Sequence, residues 1–176
     1  MVNKRLQAGV FLVVAAVAGS AGFYFSRPNL TSQALDGASE RLMLTPLADL
    51  DGKVQTLSQW RGRVLVVNFW ATWCTPCREE IPALMRVQNK YAPKNLKLVG
   101  IGIDNVAKIT DYAIEMNIDY DLLIGGMETL AVSKNLGNRA EVLPFTVVLD
   151  RTGVVAYAHA GALTEAALDT VLARLL

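Results

Sequence analysis

The only two cysteines in the chain, Cys74 and Cys77, stand two residues apart within Trp73-Cys74-Thr75-Pro76-Cys77. Thiols at that spacing suit thiol–disulfide exchange, in which one attacks a disulfide and the other resolves the mixed disulfide that forms. An extended apolar run (Val64, Leu65, Val66, Val67, Phe69, Trp70) leads into the pair, and a helix-like segment from Cys77 to about Tyr91 leads out. A helix starting near Cys74 would turn its unsatisfied N–H groups and positive dipole end toward the sulfur. That setting favours thiolate, the reactive form, and lowers a thiol pKa from about 8.5 to roughly 3.5–7.5. Cys74, at the exposed start of the helix, is the expected nucleophile, and Cys77, one turn further in, the resolving thiol. Pro76 lacks an N–H and sets φ in the turn between them.

Three other uses of the pair compete with this one. A structural disulfide across two residues closes a very small loop and constrains little of the unfolded chain. A structural zinc site wants four ligands, and the chain offers two cysteines and one distant histidine, His159. Two inert core cysteines sit poorly with Pro76, which suits the first turn of a helix.

The segment Asn68-Phe69-Trp70-Ala71-Thr72-Trp73-Cys74-Thr75-Pro76-Cys77-Arg78-Glu79-Glu80-Ile81-Pro82 resembles the active-site stretch of membrane-anchored, thioredoxin-like proteins of the TlpA/ResA type. Leu143-Pro144-Phe145-Thr146-Val147-Val148-Leu149-Asp150 supplies a second match, so the resemblance covers roughly residues 42–176. It implies that Pro144 is cis and faces the cysteines, with the Leu143 backbone open to an extended substrate segment. Without the resemblance, a trans proline opening a strand is the ordinary reading. The resemblance also places Glu80 near the disulfide, where it could relay protons. Otherwise Glu80 is an exposed carboxylate favourable to the helix dipole. Asn68 stands where many cytosolic thioredoxins carry a buried aspartate, which leaves Glu80 or water as the base. Trp70 and Trp73 resemble the tryptophans flanking the family's site, although core packing accounts for Trp70 equally well. Thr75 is the variable position of the motif, either a weak polar influence or a solvent-exposed spacer. Trp73, Thr75, Pro76, Leu143 and Pro144 are thus the expected substrate-binding residues, and Cys74, Cys77 and Glu80 the catalytic ones. His159 reads as a surface residue at the end of the last strand.

The elements that must position these residues alternate along the chain. Leu42 to Leu44 and Val54 to Leu57 flank Asp51-Gly52 and suggest a small opening hairpin, with Ser58 as a cap for the turn that follows. Val64 to Trp70, apolar on both faces, reads as an interior strand. The helix after it places Ile81 and Leu84 near helical spacing and should bend at Pro82. Strands are then expected at Leu96 to Ile103, Asp121 to Ile124, Phe145 to Leu149 and Val154 to Ala158. Helices are expected at Val106 to Met116 and Glu128 to Leu136, and a last one carries Leu168, Val171, Leu172 and Leu175 on one stripe. Asp150-Arg151-Thr152-Gly153 joins an antiparallel pair. The fold class is α/β, a mixed sheet covered on both faces. That order is similar to a thioredoxin-like fold with an N-terminal β-hairpin and a central strand-helix insertion, preceded by one transmembrane helix.

Lys4 and Arg5 precede Leu6 to Phe25, 20 residues without a charge. As a helix that run spans about 30 Å, a bilayer core. Small residues at Ala16-Val17-Ala18 and Gly19-Ser20-Ala21 also suit signal-peptide cleavage, but Phe23, Tyr24 and Phe25 continue the apolar run and fit the membrane boundary. The chain therefore reads as a signal anchor over 1–26, a linker over 27–40 that is disordered or loosely structured, and a domain over 41–176. By the positive-inside rule the domain is expected on the far side of the membrane, which the resemblance makes the periplasmic face of the inner membrane. A formal net charge of +1 without a basic cluster offers nucleic acid little to hold.

The resemblance implies a thiol–disulfide oxidoreductase acting on exported disulfide-containing clients, as in cytochrome c or copper-site maturation. Its cofactor would be its own cysteine pair, with no metal. It would act as a reductant, drawing electrons from a transmembrane thiol carrier of the DsbD/CcdA type. A copper chaperone of the same fold would need wider cysteine spacing and a placed histidine, and a peroxiredoxin-like peroxidase would set its cysteines further apart.

Overall fold

Residues 30–176 are described by the computed structural model, and residues 34–176 form one compact unit. Seven strands build one sheet: β1 (Leu47–Asp49), β2 (Val54–Gln55), β3 (Val64–Trp70), β4 (Leu96–Ile103), β5 (Asp121–Gly125), β6 (Phe145–Leu149) and β7 (Val155–Ala160). Their order across the sheet is β2-β1-β5-β4-β3-β6-β7. β3, β4 and β5 run parallel, while β1, β6 and β7 pair antiparallel with their neighbours. Every residue of β3 is buried, as its unbroken apolar run requires of a strand covered on both faces.

Alternation along β3 divides the core. Val64, Val66 and Trp70 face helices α2 (Thr75–Tyr91), α3 (Val106–Met116) and α5 (Glu165–Leu172), packing with Ile81, Leu84, Ile109 and Leu168. Leu65, Val67 and Phe69 face the other way, against α1 (Leu30–Leu44) and α4 (Met127–Lys134). Helix ends follow local chemistry: Asn105 caps α3 by accepting from the Lys108 N–H at 3.0 Å, and Thr164 caps α5 from the Ala167 N–H at 3.3 Å. The β6–β7 turn closes around Asp150, whose carboxylate accepts from the Thr152 and Val154 N–H groups, with Gly153 at φ +91°.

The start of the domain differs from the sequence expectation. Leu42 to Leu44, expected as a strand, form the last turn of α1, and the first hairpin is built two residues later by Leu47–Asp49 and Val54–Gln55. The expected linker is helical from Leu30, and Ala38, Leu42 and Met43 are buried in the second core. Tertiary packing of that last turn decides its conformation, since polar residues dominate the rest. Ser58 lies inside a 3₁₀ turn, Leu57–Trp60, whose cap position is Thr56, and the two hydroxyls pair at 2.7 Å. The expected anchor over 1–26 lies outside the described residues. Among the described residues no helix is long and apolar enough to cross a membrane.

Candidate active site

The turn Ala71 to Cys74 connects the carboxyl end of β3 to α2. Its shape is held by the Cys74 N–H donating to the Ala71 carbonyl at 3.2 Å, and by the Thr72 hydroxyl donating to the Asp104 carboxylate beyond β4. Cys74 is the N-cap of α2 with extended backbone, and Pro76 occupies the first turn. The sulfurs are bonded at 2.05 Å, and the Cys77 N–H donates to Cys74 Sγ at 3.3 Å. One of the orphan donors of the helix start is thereby aimed at the sulfur of Cys74. Cys77 is fully buried and Cys74 is 6% exposed. Cys74 is less open than its place at the helix start suggests, but it is the one residue of the pair that solvent can touch.

Trp73, Thr75 and Pro76 surround that opening and are all exposed, Trp73 at 66%. Trp70 is fully buried and packs in the core against Tyr112, with ring centroids 5.7 Å apart and planes inclined at 44°, so the two tryptophans have separate surroundings. The Leu143–Pro144 bond is cis. Pairing of β3 with β6 ends at Phe69 opposite Phe145, which carries Pro144 to the end of β3 where the cysteine turn begins. Pro144 is buried, its carbonyl accepts from Gly161 N–H at 2.8 Å, and Leu143 is half-buried.

Glu80 departs from the exposed carboxylate expected in the first turns of a helix, being only 3% exposed. Its side chain points at the sheet one turn beyond Cys77, where Oε1 accepts from Asn68 Nδ2 at 2.7 Å and Oε2 from the Leu163 N–H at 2.9 Å. Asn68 Nδ2 also donates to Thr146 Oγ1 at 3.0 Å. Burial pushes the Glu80 pKa up from 4.5 to about 7, outweighing the Leu163 and Asn68 hydrogen bonds that pull it down. A carboxyl poised there can hold or release a proton near neutrality. An open cavity of about 310 Å3 between Glu80, Ala83, Ala162 and Leu163 gives it a route to solvent. A larger cavity, about 430 Å3, lies between β7 and α5 and is lined by none of these residues.

The structure thus joins Cys74 and Cys77, and gathers Glu80 with Asn68, Thr146 and Leu163. Asn68 announces itself in the sequence as the one polar residue of a wholly apolar strand, which must find a partner when buried. Leu163 contributes only a backbone N–H, and no residue type signals that. His159 is half-buried within β7, one residue inside a strand longer than expected, and stacks on Tyr157. Among the described residues no group of three His, Cys, Asp or Glu side chains could hold a metal ion.

Comparison with known proteins places this geometry in context. The chain matches the Redoxin family over residues 26–172. It is 32% identical to the thioredoxin-like protein YneN of Bacillus subtilis over 72% of this chain and 73% of that one. It is 24% identical to the thiol-disulfide oxidoreductase ResA of Geobacillus kaustophilus over 91% of this chain and 88% of that one. A thioredoxin-family thiol:disulfide interchange protein of Chlorobium tepidum superimposes with a TM-score of 0.66 at 26% identity, covering 74% of this chain and 92% of that one.

Proposed function

Since the chain belongs to the Redoxin family, we propose that it is a thiol–disulfide oxidoreductase of the TlpA/ResA type that reduces disulfides in exported proteins. The observation that carries this reading is the Cys74–Cys77 disulfide at the start of α2, with the Cys77 N–H on the Cys74 sulfur.

In the reduced protein the Cys74 thiolate attacks one sulfur of a client disulfide. The client S–S bond breaks, a Cys74–client mixed disulfide forms, and the departing client thiolate takes a proton. Cys77 then loses its proton to the Glu80 carboxylate and attacks the Cys74 sulfur. The Cys74–Cys77 bond closes, the second client thiol is released, and two electrons have passed from the dithiol to the client. Glu80 returns its proton to solvent through the cavity beside Ala83 and Leu163. Trp73, Thr75 and Pro76 form the exposed rim on which the client rests, and the Leu143 peptide beside cis-Pro144 pairs with its backbone. The cysteine pair is the only redox group needed.

The 1–26 segment anchors the protein in the inner membrane with the domain facing the periplasm, and a thiol carrier of the DsbD/CcdA type restores the dithiol. Apocytochrome c and copper-site proteins are the clients to test first. A copper chaperone is not favoured, because Cys74 and Cys77 stand only two residues apart, closer than that use requires.

A Cys77→Ala variant of the full chain, expressed in cells, should accumulate mixed disulfides through Cys74 that mass spectrometry identifies. The Cys74–Cys77 potential measured against glutathione tests direction. A value near the roughly −120 mV of DsbA would make the protein an oxidase of client thiols instead.

A further inference from the structure

The loop that leads into cis-Pro144 is held by a residue with no place in the mechanism above. Asn138 is 1% exposed, and its side-chain amide binds both backbone groups of Val142: Oδ1 accepts from the Val142 N–H at 3.0 Å, and Nδ2 donates to the Val142 carbonyl at 2.9 Å. Nδ2 also donates to Ser133 Oγ at 3.0 Å, and that hydroxyl donates to the Leu130 carbonyl at 2.6 Å. The backbone of Asn138 is fixed as well, its N–H on the Ser133 carbonyl at 3.1 Å and its carbonyl receiving the Glu141 N–H at 2.9 Å. Glu141, at φ +51°, turns the chain back so that Val142 can meet the amide.

An amide that engages the N–H and C=O of one residue imitates a neighbouring strand. In extended chain, successive residues turn these groups to opposite sides, and a residue before proline is confined to extended backbone. The amide of Asn138 takes up both backbone groups of Val142 and leaves those of Leu143 outside the pairing. Among the described residues neither group of Leu143 makes a hydrogen bond.

We propose that Asn138 is a positioning residue for client recognition, holding Val142 so that the free backbone groups of Leu143 are presented to an extended polypeptide segment flanking the client disulfide. This rests on the oxidoreductase reading and narrows its substrates to disulfides carried on extended chain. Small disulfides make no backbone pairing and so do not use the clamp.

The test compares two disulfides reduced by the full chain: a disulfide-linked peptide pair and dithiobis-nitrobenzoate. In Asn138→Ala the ratio of kcat/KM for peptide to that for the small disulfide should fall about tenfold, through KM rather than kcat, as expected for loss of one or two hydrogen bonds. Asn138→Asp keeps the acceptor for the Val142 N–H and loses both donated bonds, so its ratio should lie between. Ser133→Ala frees the amide on one side only and should give a smaller fall, and these two variants decide the matter if Asn138→Ala does not fold. An unchanged ratio, or equal losses on both substrates, overturns the assignment. A native chain inactive on both substrates overturns the oxidoreductase reading itself.

Discussion

Glu80 shows how a side chain's chemistry is set by residues far from it in sequence. With the carboxyl one turn from Cys77 and half ionised near pH 7, its charge opposes ionisation of the neighbouring thiols. Glu80→Gln should lower the pKa of the reactive thiol, read from thiolate ultraviolet absorbance against pH; an unchanged titration would remove Glu80 from the redox mechanism. Cys74, which alone of the pair reaches solvent, should be alkylated first in the reduced protein at mildly acidic pH, as peptide mapping would reveal. Preferential labelling of Cys77 would reverse the two roles. The cysteine motif was legible in sequence because its residues are contiguous. The burial of Glu80 was half legible: Asn68 in an apolar strand demands a partner, and Glu80 lies between Cys77 and Leu84 on the face of α2 turned to the sheet. Its second donor, a backbone N–H of Leu163, leaves no trace in residue types.

At the scale of elements, the packing of Leu122, Trp70 and Tyr120 over the middle of β4 depends on the missing side chain of Gly100. A Cβ on Gly100 would stand 2.7 Å from Leu122 Cδ2 and 3.1 Å from both Trp70 Nε1 and Tyr120 Cε2. Gly100→Ala should therefore cost about 1–3 kcal/mol in stability, measured by denaturant unfolding. A neutral substitution would show that Leu122 can withdraw without loss. β3, β4, α3 and β6 have the bounds read from their apolar runs and breakers, because each is buried over all or nearly all of its length or firmly capped. The first hairpin and α1 were misplaced for the opposite reason. α1 commits few apolar residues, and only the docking of Ala38, Leu42 and Met43 distinguishes it from a tether. The cis bond at Pro144 rested on resemblance alone, since nothing in local sequence separates it from the trans form.

For the whole molecule, Glu80 links redox chemistry to stability. Its folded pKa of about 7 lies above the unfolded value of 4.5, so between these pH values the folded state holds more protons than the unfolded one. Stability should consequently decline as pH rises through this window, by about 3 kcal/mol at most, since one pKa unit is worth about 1.4 kcal/mol. Asp169, held below the usual carboxylate range by the Lys90 ammonium and the Tyr91 hydroxyl, acts in the opposite sense and loses its contribution only in more acid solution. Chemical denaturation of the oxidised protein at several pH values should show the decline, and Glu80→Gln should flatten it. A native curve flat from pH 5 to about 7 would place the Glu80 pKa near its ordinary value.

The hydrogen bond between Glu80 and Leu163 joins residues 83 positions apart. On a ribosome adding about 5–20 residues per second, the cysteine pair is made roughly 4–17 s before the N–H that completes the carboxyl's surroundings. For that interval the nascent chain carries a reactive dithiol without its finished proton partner. Tuned chemistry therefore begins only when the C-terminal third has docked, and a polypeptide cut short before Leu163 would expose the thiols without that control.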